Sequence, residues 1–486
     1  MRRNLKSKGY KMTNPINIDS RLELMVDDHI IDNLTGDARL TMHRSTPQNV
    51  AIDLDKSWEG NSCAYMTVFK DGEIYRMYYR GSHAVYTKDS IDETHPEYTC
   101  YAESYDGINY TKPGLGLFEI AGTLDNNVIM TPETAGRATH NFCPFIDTRP
   151  DVPDSEKYKA VGGLSDGLFA FMSDNAIHWK RLKEEPIITQ GAFDSQNLAF
   201  WDSERNEYRA YFRDFRDGRD IKTCTSRDFL NWTDPVYLEY SPGRVSQLYT
   251  NQINPYYRAP HILLGFPTRY IDHGWTEATK ALPQLEYRQI RASRSVREGT
   301  ALTDGMFIVG RERHNFKVWP ESFIRPGLKL KENWFYGDNY QSLGLLETKS
   351  NIHNAPDELS FYTSESSMQG NSTRWRRHTI RIDGFASLNA PLSCGEMLTK
   401  PLIFKGDRLI INYSTSAAGS LQVEIQDAKG YPISGFSLSE SEEMFGDSLS
   451  QAFIWKNGSD VSSLAGKTVR LRFVLRDADL YSIKFM

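Results

Sequence analysis

The chain has 486 residues, a length typical of two or three domains, and 39% of the residues are hydrophobic while 12% are aromatic. Its 57 Lys and Arg residues nearly balance 63 Asp and Glu residues, which gives a formal net charge of -6. This balance excludes a strongly basic surface, so we expect no nucleic-acid partner. The five Cys residues are scattered without a CxxC pair, which predicts neither a zinc site nor a disulfide framework.

The N-terminal stretch, MRRNLKSKGYKMTNPIN, is basic but has no apolar segment after it. It therefore predicts neither a signal peptide nor a membrane span, and we expect no membrane partner. As written, the sequence predicts a cytoplasmic protein. If the natural chain begins elsewhere, the same composition suits a periplasmic or secreted one. We assign residues 1–20 to a tail, and the oligomeric state stays open.

Residues 21–43 alternate in hydropathy and predict one or two strands that complete the last sheet of a ring. Repeats of about four short strands follow this segment. A closing hairpin marks most repeats, in which a Ser or Gly precedes an aromatic residue by six positions, as in Ser226 and Trp232. An Asn stands at or just before the first strand of each copy. The copies span 58–110, 140–179, 194–232, 249–316 and 334–375.

Radial repetition of four-stranded sheets is the β-propeller solution to exposed strand edges, and five copies predict five blades. Beyond residue 381 the pattern changes to long alternating strands such as LIINYSTSAAGSLQVEIQD. About 105 residues of this kind predict an antiparallel β-sandwich. The expected fold is all-β, with a tail (1–20), a five-bladed β-propeller (21–380) and a C-terminal β-sandwich (381–486).

The hairpin DGEIYRMYYRG followed by YAESYDGINYTKP resembles the blades of five-bladed propeller glycoside hydrolases of the invertase, levanase and arabinanase type. The segments FDSQNLAFWD and YYRAPHILLGFPTRY are similar to uncharacterised bacterial hydrolase-like propeller proteins. The likeness covers most of the chain, but the Asn-Asp-Pro-Asn, Arg-Asp-Pro and Glu-Cys signatures of invertases are absent. The resemblance implies a central funnel lined by the start of each blade's first strand.

Carboxylates stand at three of these strand starts, Glu59, Asp194 and Asp338, and Glu321 lies in the loop before the last one. Glycoside cleavage needs one carboxylic acid and one carboxylate, often with a third that tunes the pKa of the acid. The resemblance implies that Glu59 is the base or nucleophile and that Asp194 modulates the site. By the same resemblance, the carboxylic acid that protonates the leaving oxygen would be Asp338 or Glu321.

Other side chains near the strand starts could bind a carbohydrate substrate through hydrogen bonds, aromatic stacking or an acidic sugar's carboxylate. The candidates are His140, Asn141, Asn197, Tyr249, Asn251, Arg258, His261, Trp319 and Arg325. No metal ligand set is predicted. We expect no cofactor, although the axis of a propeller could hold a structural calcium.

Three functions remain open. The first is a glycoside hydrolase acting on a poly- or oligosaccharide, with an exo mode if long loops close one end of the funnel. The second is a glycoside phosphorylase on the same scaffold, which would need Arg, Lys or His at the pocket. The third is a non-catalytic carbohydrate-binding propeller. The hydrolase predicts that Glu59 and one of the other carboxylates face one pocket about 5 to 10 Å apart, whereas scattered carboxylates favour the binding function.

Overall fold

The computed structural model describes residues 14–486, which form two compact units. One unit spans residues 44–381, and the other combines residues 14–43 with 382–486. Helices are short and few, and within the described residues none has the length and hydropathy needed to cross a membrane. They are α1 (Pro132–Ala135), α2 (Glu277–Lys280), α3 (Leu285–Ala292), α4 (Val296–Thr300) and 3-10 turns at Gly136–His140, Asp154–Glu156 and Ser462–Leu464.

Five strands precede the first repeat: β1 (Ile16–Asp19), β2 (Glu23–Leu24), β3 (Ile31–Gly36), β4 (Arg39–Met42) and β5 (Thr46–Leu54). The first four pair with strands of the C-terminal segment, so residues 21–43 do not belong to the propeller as the sequence had suggested. The strand that completes the last propeller sheet is β5, which pairs antiparallel with residues 373–379. The expectation that residues 21–43 complete the last propeller sheet is therefore wrong, and residues 46–54 do so instead.

The repeats fold into strands whose bounds follow in chain order. The first copy contains β6 (Ala64–Asp71), β7 (Ile74–Gly81), β8 (Ala84–Tyr86), β9 (Ile91–Glu93), β10 (Tyr98–Ser104) and β11 (Val128–Met130). The second contains β12 (Cys143–Ile146), β13 (Tyr158–Gly162), β14 (Phe169–Ser173) and β15 (Lys180–Arg181). The third contains β16 (Leu198–Asp202), β17 (Glu207–Phe215), β18 (Arg219–Ser226) and β19 (Val236–Tyr237).

The fourth and last copies complete the propeller unit. The fourth contains β20 (Glu239–Ser241), β21 (Gln247–Leu248), β22 (Asn254–Tyr256), β23 (Ala259–Gly265), β24 (Thr268–Asp272), β25 (Ala301–Gly310) and β26 (Asn315–Ile324). The last contains β27 (Leu346–Thr348), β28 (Glu358–Glu365) and β29 (Thr373–Ile380), joined by β5. Four copies thus give sheets of four strands, whereas the fourth copy belongs to a sheet of seven.

The first strands of the sheets meet at a common centre, which is the arrangement of a propeller. The Gln196 amide, which precedes β16, donates to Thr67 Oγ1 in β6 at 2.9 Å. The Gln252 amide donates in turn to Gln196 Oε1 at 2.6 Å. The sulfur atom of Cys143 in β12 lies 3.4 Å from Thr67 Oγ1. Leu343 forms an isolated β-bridge with Thr67 in β6. The all-β, propeller-like fold predicted from the repeats is therefore confirmed.

The closing hairpins are built by local hydrogen bonds. The Asp228 carboxylate accepts the backbone N–H groups of residues 230 and 231, and Ser226 Oγ accepts that of residue 229. Asp106 and Ser104 make the same bonds in the first copy. Burial raises the pKa of each Asp, but these N–H donors outweigh it and hold the pKa at about 2. Both carboxylates are therefore structural.

The C-terminal unit has six further strands: β30 (Ala386–Ala390), β31 (Gly395–Thr399), β32 (Leu402–Phe404), β33 (Leu409–Asp427), β34 (Asp447–Ala452) and β35 (Val469–Phe485). With β1–β4 they form one hydrogen-bonded sheet of ten strands. Register shifts interrupt the pairing of β33 with β35 between residues 415 and 420, where the two long strands bend. Alternate residues of both, including Val423 and Phe473, are fully buried in one apolar core, as in a β-sandwich.

Candidate functional site

An open cavity of about 890 Å³ lies at the starts of the second and third repeats. The 3-10 turn Gly136–His140 and the loop before β16 form two of its walls, and residues 93–97 before β10 form another. Its ionisable lining residues are Glu93, Glu97, Arg137, His140, Asp194 and Arg213. Two of the predicted site residues, His140 and Asp194, therefore face one cavity.

His140 connects two carboxylates within this cavity. Its Nδ1 atom lies 2.8 Å from Oε2 of Glu97, and its Nε2 atom lies 3.2 Å from Oδ1 of Asp194. The Asp194 side chain is 63% exposed, whereas those of Glu97 and His140 are 23% and 14% exposed. A carboxylate therefore faces each ring nitrogen, and Nε2 is the nitrogen beside the more exposed carboxylate, Asp194.

Two buried arginines hold this cluster in place. Arg80 Nη1 lies 3.3 Å from Oε1 of Glu97 and 3.0 Å from Nδ1 of His140, while its Nη2 donates to the Ser62 carbonyl. Arg213 donates from Nε to a backbone carbonyl of the loop before β16 and places Nη2 at 3.6 Å from Asp194 Oδ2. The guanidiniums approach the cluster from the first and third repeats, so its geometry is fixed from two sides.

The arginines determine the ionisation of the two carboxylates. Burial raises the pKa of Glu97, but the Arg80 guanidinium and the His140 hydrogen bond outweigh burial and lower this pKa to about 2. Partial desolvation likewise raises the pKa of Asp194, whereas His140 and then Arg213 lower it more strongly. Both groups are therefore anionic at neutral pH. Neither can therefore serve as a carboxylic acid at that pH.

Tyrosines form the centre of the funnel beside the cluster. The Tyr65 ring lies 5.5 Å from the His140 ring and 5.1 Å from Arg80 Cζ. Tyr249, a predicted binding residue, stacks on Arg213 and hydrogen-bonds the Tyr336 hydroxyl at 2.9 Å. Burial raises the pKa of Tyr65 and of Tyr249, so both keep their phenolic protons at neutral pH. These buried tyrosines pack behind the cluster and do not line the cavity itself.

Glu59 lies outside this cavity, contrary to the expectation that it is the base or nucleophile facing the funnel. Its side chain is fully buried, and Oε2 lies 2.6 Å from Lys112 Nζ. Its Oε1 accepts from the Tyr79 hydroxyl at 2.6 Å, and the backbone N–H of Lys56 donates to Oε2. Every oxygen of the carboxylate is therefore occupied by an internal donor. The sequence correctly placed Glu59 before the first strand, but the chain folds it into an ion pair.

The other two predicted carboxylates are also separated from the cluster. Asp338 is buried and accepts the backbone N–H groups of Phe335 and Ser367. Burial raises its pKa to about 7 in spite of these donors. Glu321 lies exposed in the middle of β26, not in a loop. The expected close pair between Glu59 and another of these carboxylates is therefore not formed, because each serves a different part of the scaffold.

The Asn residues that open each copy tie the sheets together. Asn141 donates to the carbonyls of residues 163, 193 and 195, and so links the second copy to the third. Asn197 bonds two of the same carbonyls, and Asn251 bonds the carbonyls of residues 196 and 211. All three side chains are buried with backbone partners. These contacts tie the scaffold together, and none of the three residues lines the cavity that contains His140 and Asp194.

The remaining candidates lie elsewhere. Trp319 was expected in a loop, but it is buried within β26, where it stacks on Phe307. His261 lies on β23, and Arg258 is exposed in the turn between β22 and β23. Arg325 is exposed just after β26. None of the four lines the cavity that contains His140 and Asp194.

Sequence reasoning missed Glu97, Arg80 and Arg213. A signal for the two arginines was present, because residues 75–80 read YRMYYR and residues 208–213 read YRAYFR. In the first and third copies, this motif places its last Arg near the end of the second strand, which is β7 or β17. Glu97 carries no comparable signal, since it stands in a loop of irregular length before β10.

No group of three or more His, Cys, Asp or Glu side chains arranged to hold a metal ion occurs within residues 14–486. The five cysteines are free thiols, four of them buried. Burial raises the pKa of Cys63 to about 12, which keeps it a neutral thiol. The ionisable groups that line the cavity are carboxylates, an imidazole and guanidiniums.

No family model matches the chain, and no curated protein sequence matches it. Several solved structures are similar to the chain in three dimensions. An N-acetylgalactosamine deacetylase from F. plautii shares 8% identity and a TM-score of 0.41, over 72% of this chain and 97% of that one. A fructofuranosidase from Schwanniomyces occidentalis shares 11% identity and a TM-score of 0.38, over 89% and 96% of the two chains.

The catalytic domain of a GH62 α-L-arabinofuranosidase from Coprinopsis cinerea is also similar, with 8% identity and a TM-score of 0.41 over 70% of this chain and 99% of that one. The likeness is one of fold. At such identities it transfers no residue role, so a function has to be argued from the cavity itself.

Proposed function

We propose that the protein is a glycoside-cleaving enzyme, a hydrolase in the first instance, whose active site is the cavity of His140 and Asp194. The observation that supports this best is the exposed Asp194 carboxylate bonded to His140, whose other nitrogen is held by the half-buried Glu97. An imidazole and a carboxylate thus stand side by side in an open cavity. Together they can supply the proton donor and the base or nucleophile that glycoside cleavage requires.

In this mechanism His140 protonates the leaving glycosidic oxygen from Nε2, and Asp194 activates a water molecule or attacks the anomeric carbon. Glu97 does not touch the substrate, because the imidazole fills the space between it and Asp194. Its role is to orient the ring and to stabilise the imidazolium. The anionic state of Asp194, which Arg213 favours, suits a base or nucleophile and not an acid.

Two other functions have observations in their favour. Arg137, Arg213 and His140 around one cavity are the cationic groups that a glycoside phosphorylase would use for phosphate. The distribution of Glu59, Asp338 and Glu321 over separate places favours a non-catalytic carbohydrate-binding propeller instead. The exo mode, the five-bladed count and the absence of a cofactor stay predictions.

The test is a turnover assay of the purified full chain on a panel of plant and algal oligosaccharides, with and without inorganic phosphate. We expect hydrolysis without phosphate, and loss of about 100- to 10,000-fold in kcat for Asp194→Asn. The matched control is Asp174→Asn, which removes an exposed carboxylate of a closing hairpin. Strict phosphate dependence would reassign the protein to the phosphorylases.

An Asp194→Asn variant with full turnover would contradict the proposed mechanism. Binding of saccharides in the cavity without turnover, measured by calorimetry, would favour the carbohydrate-binding propeller. End-product analysis of a hydrolysed oligosaccharide separates exo from endo action, since an exo enzyme releases only the terminal unit.

A further inference from the structure

Three guanidiniums lie against a continuous group of tyrosine rings beside the cavity. Arg213 Cζ is 5.0 Å from the centre of the Tyr249 ring, and Arg219 Cζ is 5.3 Å from the same ring. Arg219 also lies 4.0 Å from the Tyr270 ring, and Arg297 lies 5.5 Å from the Tyr336 ring. We call Arg213, Arg219 and Arg297 the arginine wall. Because Arg213 also lines the cavity of His140, the wall begins at the proposed active site.

The arginine wall has fewer carboxylates than guanidiniums. Arg213 approaches Asp194 only to 3.6 Å, beyond hydrogen-bond distance. Arg297 pairs with Glu298 at 3.0 Å, but the same carboxylate is 3.3 Å from Arg291. Arg219 has no carboxylate within 4.0 Å among residues 14–486, and its Nη1 donates to the neutral Gln247 amide at 3.0 Å. A net positive charge therefore remains on this side of the funnel.

Two nitrogen atoms of the wall are buried without a hydrogen-bond partner in the described part of the chain. They are Nε of Arg219 and Nη1 of Arg297. Buried donors of this kind also occur elsewhere in the described residues, as at Nε of Arg209 and Arg377, so they identify a site here only together with the unpaired charge of Arg219. The combination of unpaired charge and unused donors points to an anion as the missing partner.

Arginines also stack on tyrosines elsewhere in the propeller, where they join parts of the scaffold. Arg216 lies 4.6 Å from the Tyr237 ring on the same sheet as Arg219, and it pairs with Asp220 at 2.8 Å. Arg76 lies 6.0 Å from the Tyr101 ring and pairs with Asp71 at 2.8 Å. These stacks carry their own carboxylate, whereas Arg219 does not. Arg149, at 5.8 Å from the Tyr208 ring, also has no carboxylate partner among the residues that the structure describes, so what distinguishes Arg219 is that it shares the Tyr249 ring with Arg213, which lines the cavity.

We infer that the arginine wall binds the anionic group of a saccharide whose glycosidic bond lies at Asp194, and hence that the substrates are acidic sugars. The inference rests on the proposed function for the position of the bond. The anionic group is a carboxylate, as in a uronic acid, or a sulfate ester, because guanidinium donors bind both through paired hydrogen bonds. Neutral oligosaccharides lack this contact and bind more weakly.

The experiment compares oligogalacturonides, carrageenan-derived sulfated oligosaccharides and neutral arabino-oligosaccharides of similar length. Binding is measured by calorimetry and turnover by release of reducing ends, both with the full chain and at two salt concentrations. We expect one of the two acidic classes to bind at least about 10-fold more tightly than the neutral one. This preference should weaken at high salt, since part of the wall is solvent-exposed.

The decisive variant is Arg219→Gln, which removes the unpaired charge. We expect it to weaken binding of the preferred acidic class by about 10- to 100-fold. The matched control is Arg216→Gln, which removes a stacked arginine of the same sheet that has its own carboxylate, and it should leave this affinity unchanged. Circular dichroism and thermal unfolding of both variants establish that each is folded.

The outcomes separate this inference from the proposed function. Acidic saccharides that bind through Arg219 but are never cleaved would support the anion-binding role of the arginine wall and contradict the proposed glycoside cleavage. Turnover of neutral saccharides with no acidic preference would support the enzyme and overturn the wall. Competition by inorganic phosphate together with phosphate-dependent cleavage would also overturn it, because the wall would then hold a co-substrate. An Arg219→Gln affinity equal to that of the unmodified protein would contradict it directly.

Discussion

Nδ1 of His140 lies 2.8 Å from the Glu97 carboxylate, although the two residues are 43 positions apart in the chain. The loop before β10 and the 3-10 turn before β12 bring them together. A carboxylate on one imidazole nitrogen fixes the ring orientation and leaves the other nitrogen for chemistry. This relationship makes Glu97 a positioning residue, and it can be tested without knowing the sugar.

Glu97→Gln should lower kcat by roughly 100-fold, because a neutral amide holds the imidazole of His140 less firmly than a carboxylate does. KM should stay close to that of the unmodified protein, since Glu97 acts through His140 and does not touch the substrate. Steady-state kinetics provide both readouts. Glu73→Gln, at an exposed turn of the first copy, is the control. A rise in KM together with the fall in kcat would show a merely structural effect.

Glu97 should also contribute a pH-dependent part of the stability. Its pKa falls from the ordinary 4.5 to about 2 on folding, against the effect of burial, because Arg80 and His140 favour the ionised form. The contribution is therefore fully present above about pH 4.5 and is lost as the pH falls toward 2. Urea unfolding of the unmodified protein and of Glu97→Gln should give a difference in free energy that shrinks across this range. A difference that stays constant from pH 2 to 6 would contradict the assignment.

Glu59 should matter for stability and not for catalysis. Its ion pair with Lys112 is buried, and removal of one partner from such a pair costs about 3–5 kcal/mol. Glu59→Gln should therefore lower the free energy of unfolding by about 3 kcal/mol, while the folded fraction keeps its turnover. The double variant with Lys112→Met should lose less than the sum of the two single losses, which denaturant titrations can measure. A stable, folded Glu59→Gln protein without turnover would restore the catalytic role.

Asn141 should likewise act on the scaffold. Its buried amide donates to three backbone carbonyls and accepts the Gly163 N–H, so Asn141→Ala leaves several polar groups unsatisfied. We expect a loss of about 3 kcal/mol in the free energy of unfolding. Asn49→Ala, at an exposed position of β5, should change it by less than about 0.5 kcal/mol. If Asn141→Ala instead weakens saccharide binding at unchanged stability, the substrate-binding prediction is correct.

Local patterns predicted much of the architecture. The hairpin from Ser226 to Trp232 is recognisable in the sequence because its hydrogen bonds join residues two or three positions apart. The partner of an N-terminal strand is not recognisable in this way. Residues 21–43 and 46–54 both alternate, and only the pairing of Thr46–Leu54 with Thr373–Ile380 decides which one enters the propeller.

The site was predicted in part. His140 and Asp194 stand at strand starts and do face the cavity, so the periodicity of the copies located them. The same rule also selected Glu59 and Asp338, because position along a strand does not reveal which donors surround a side chain. Lys112 and the Ser367 N–H group come from other loops, and together with the nearby Phe335 N–H group they convert these two carboxylates into structural groups.

By itself, the amino-acid sequence determined the all-β class, the repeated hairpins and the strand starts, because each depends on hydropathy and turn residues that act over a few positions. The tertiary structure decided which carboxylates stay at the cavity and which are neutralised inside, and it brought Glu97, His140 and Asp194 into one cluster. The physical reason is that the charge state and access of a carboxylate depend on neighbours distant in the chain. Arg80, 60 positions before His140, is such a neighbour.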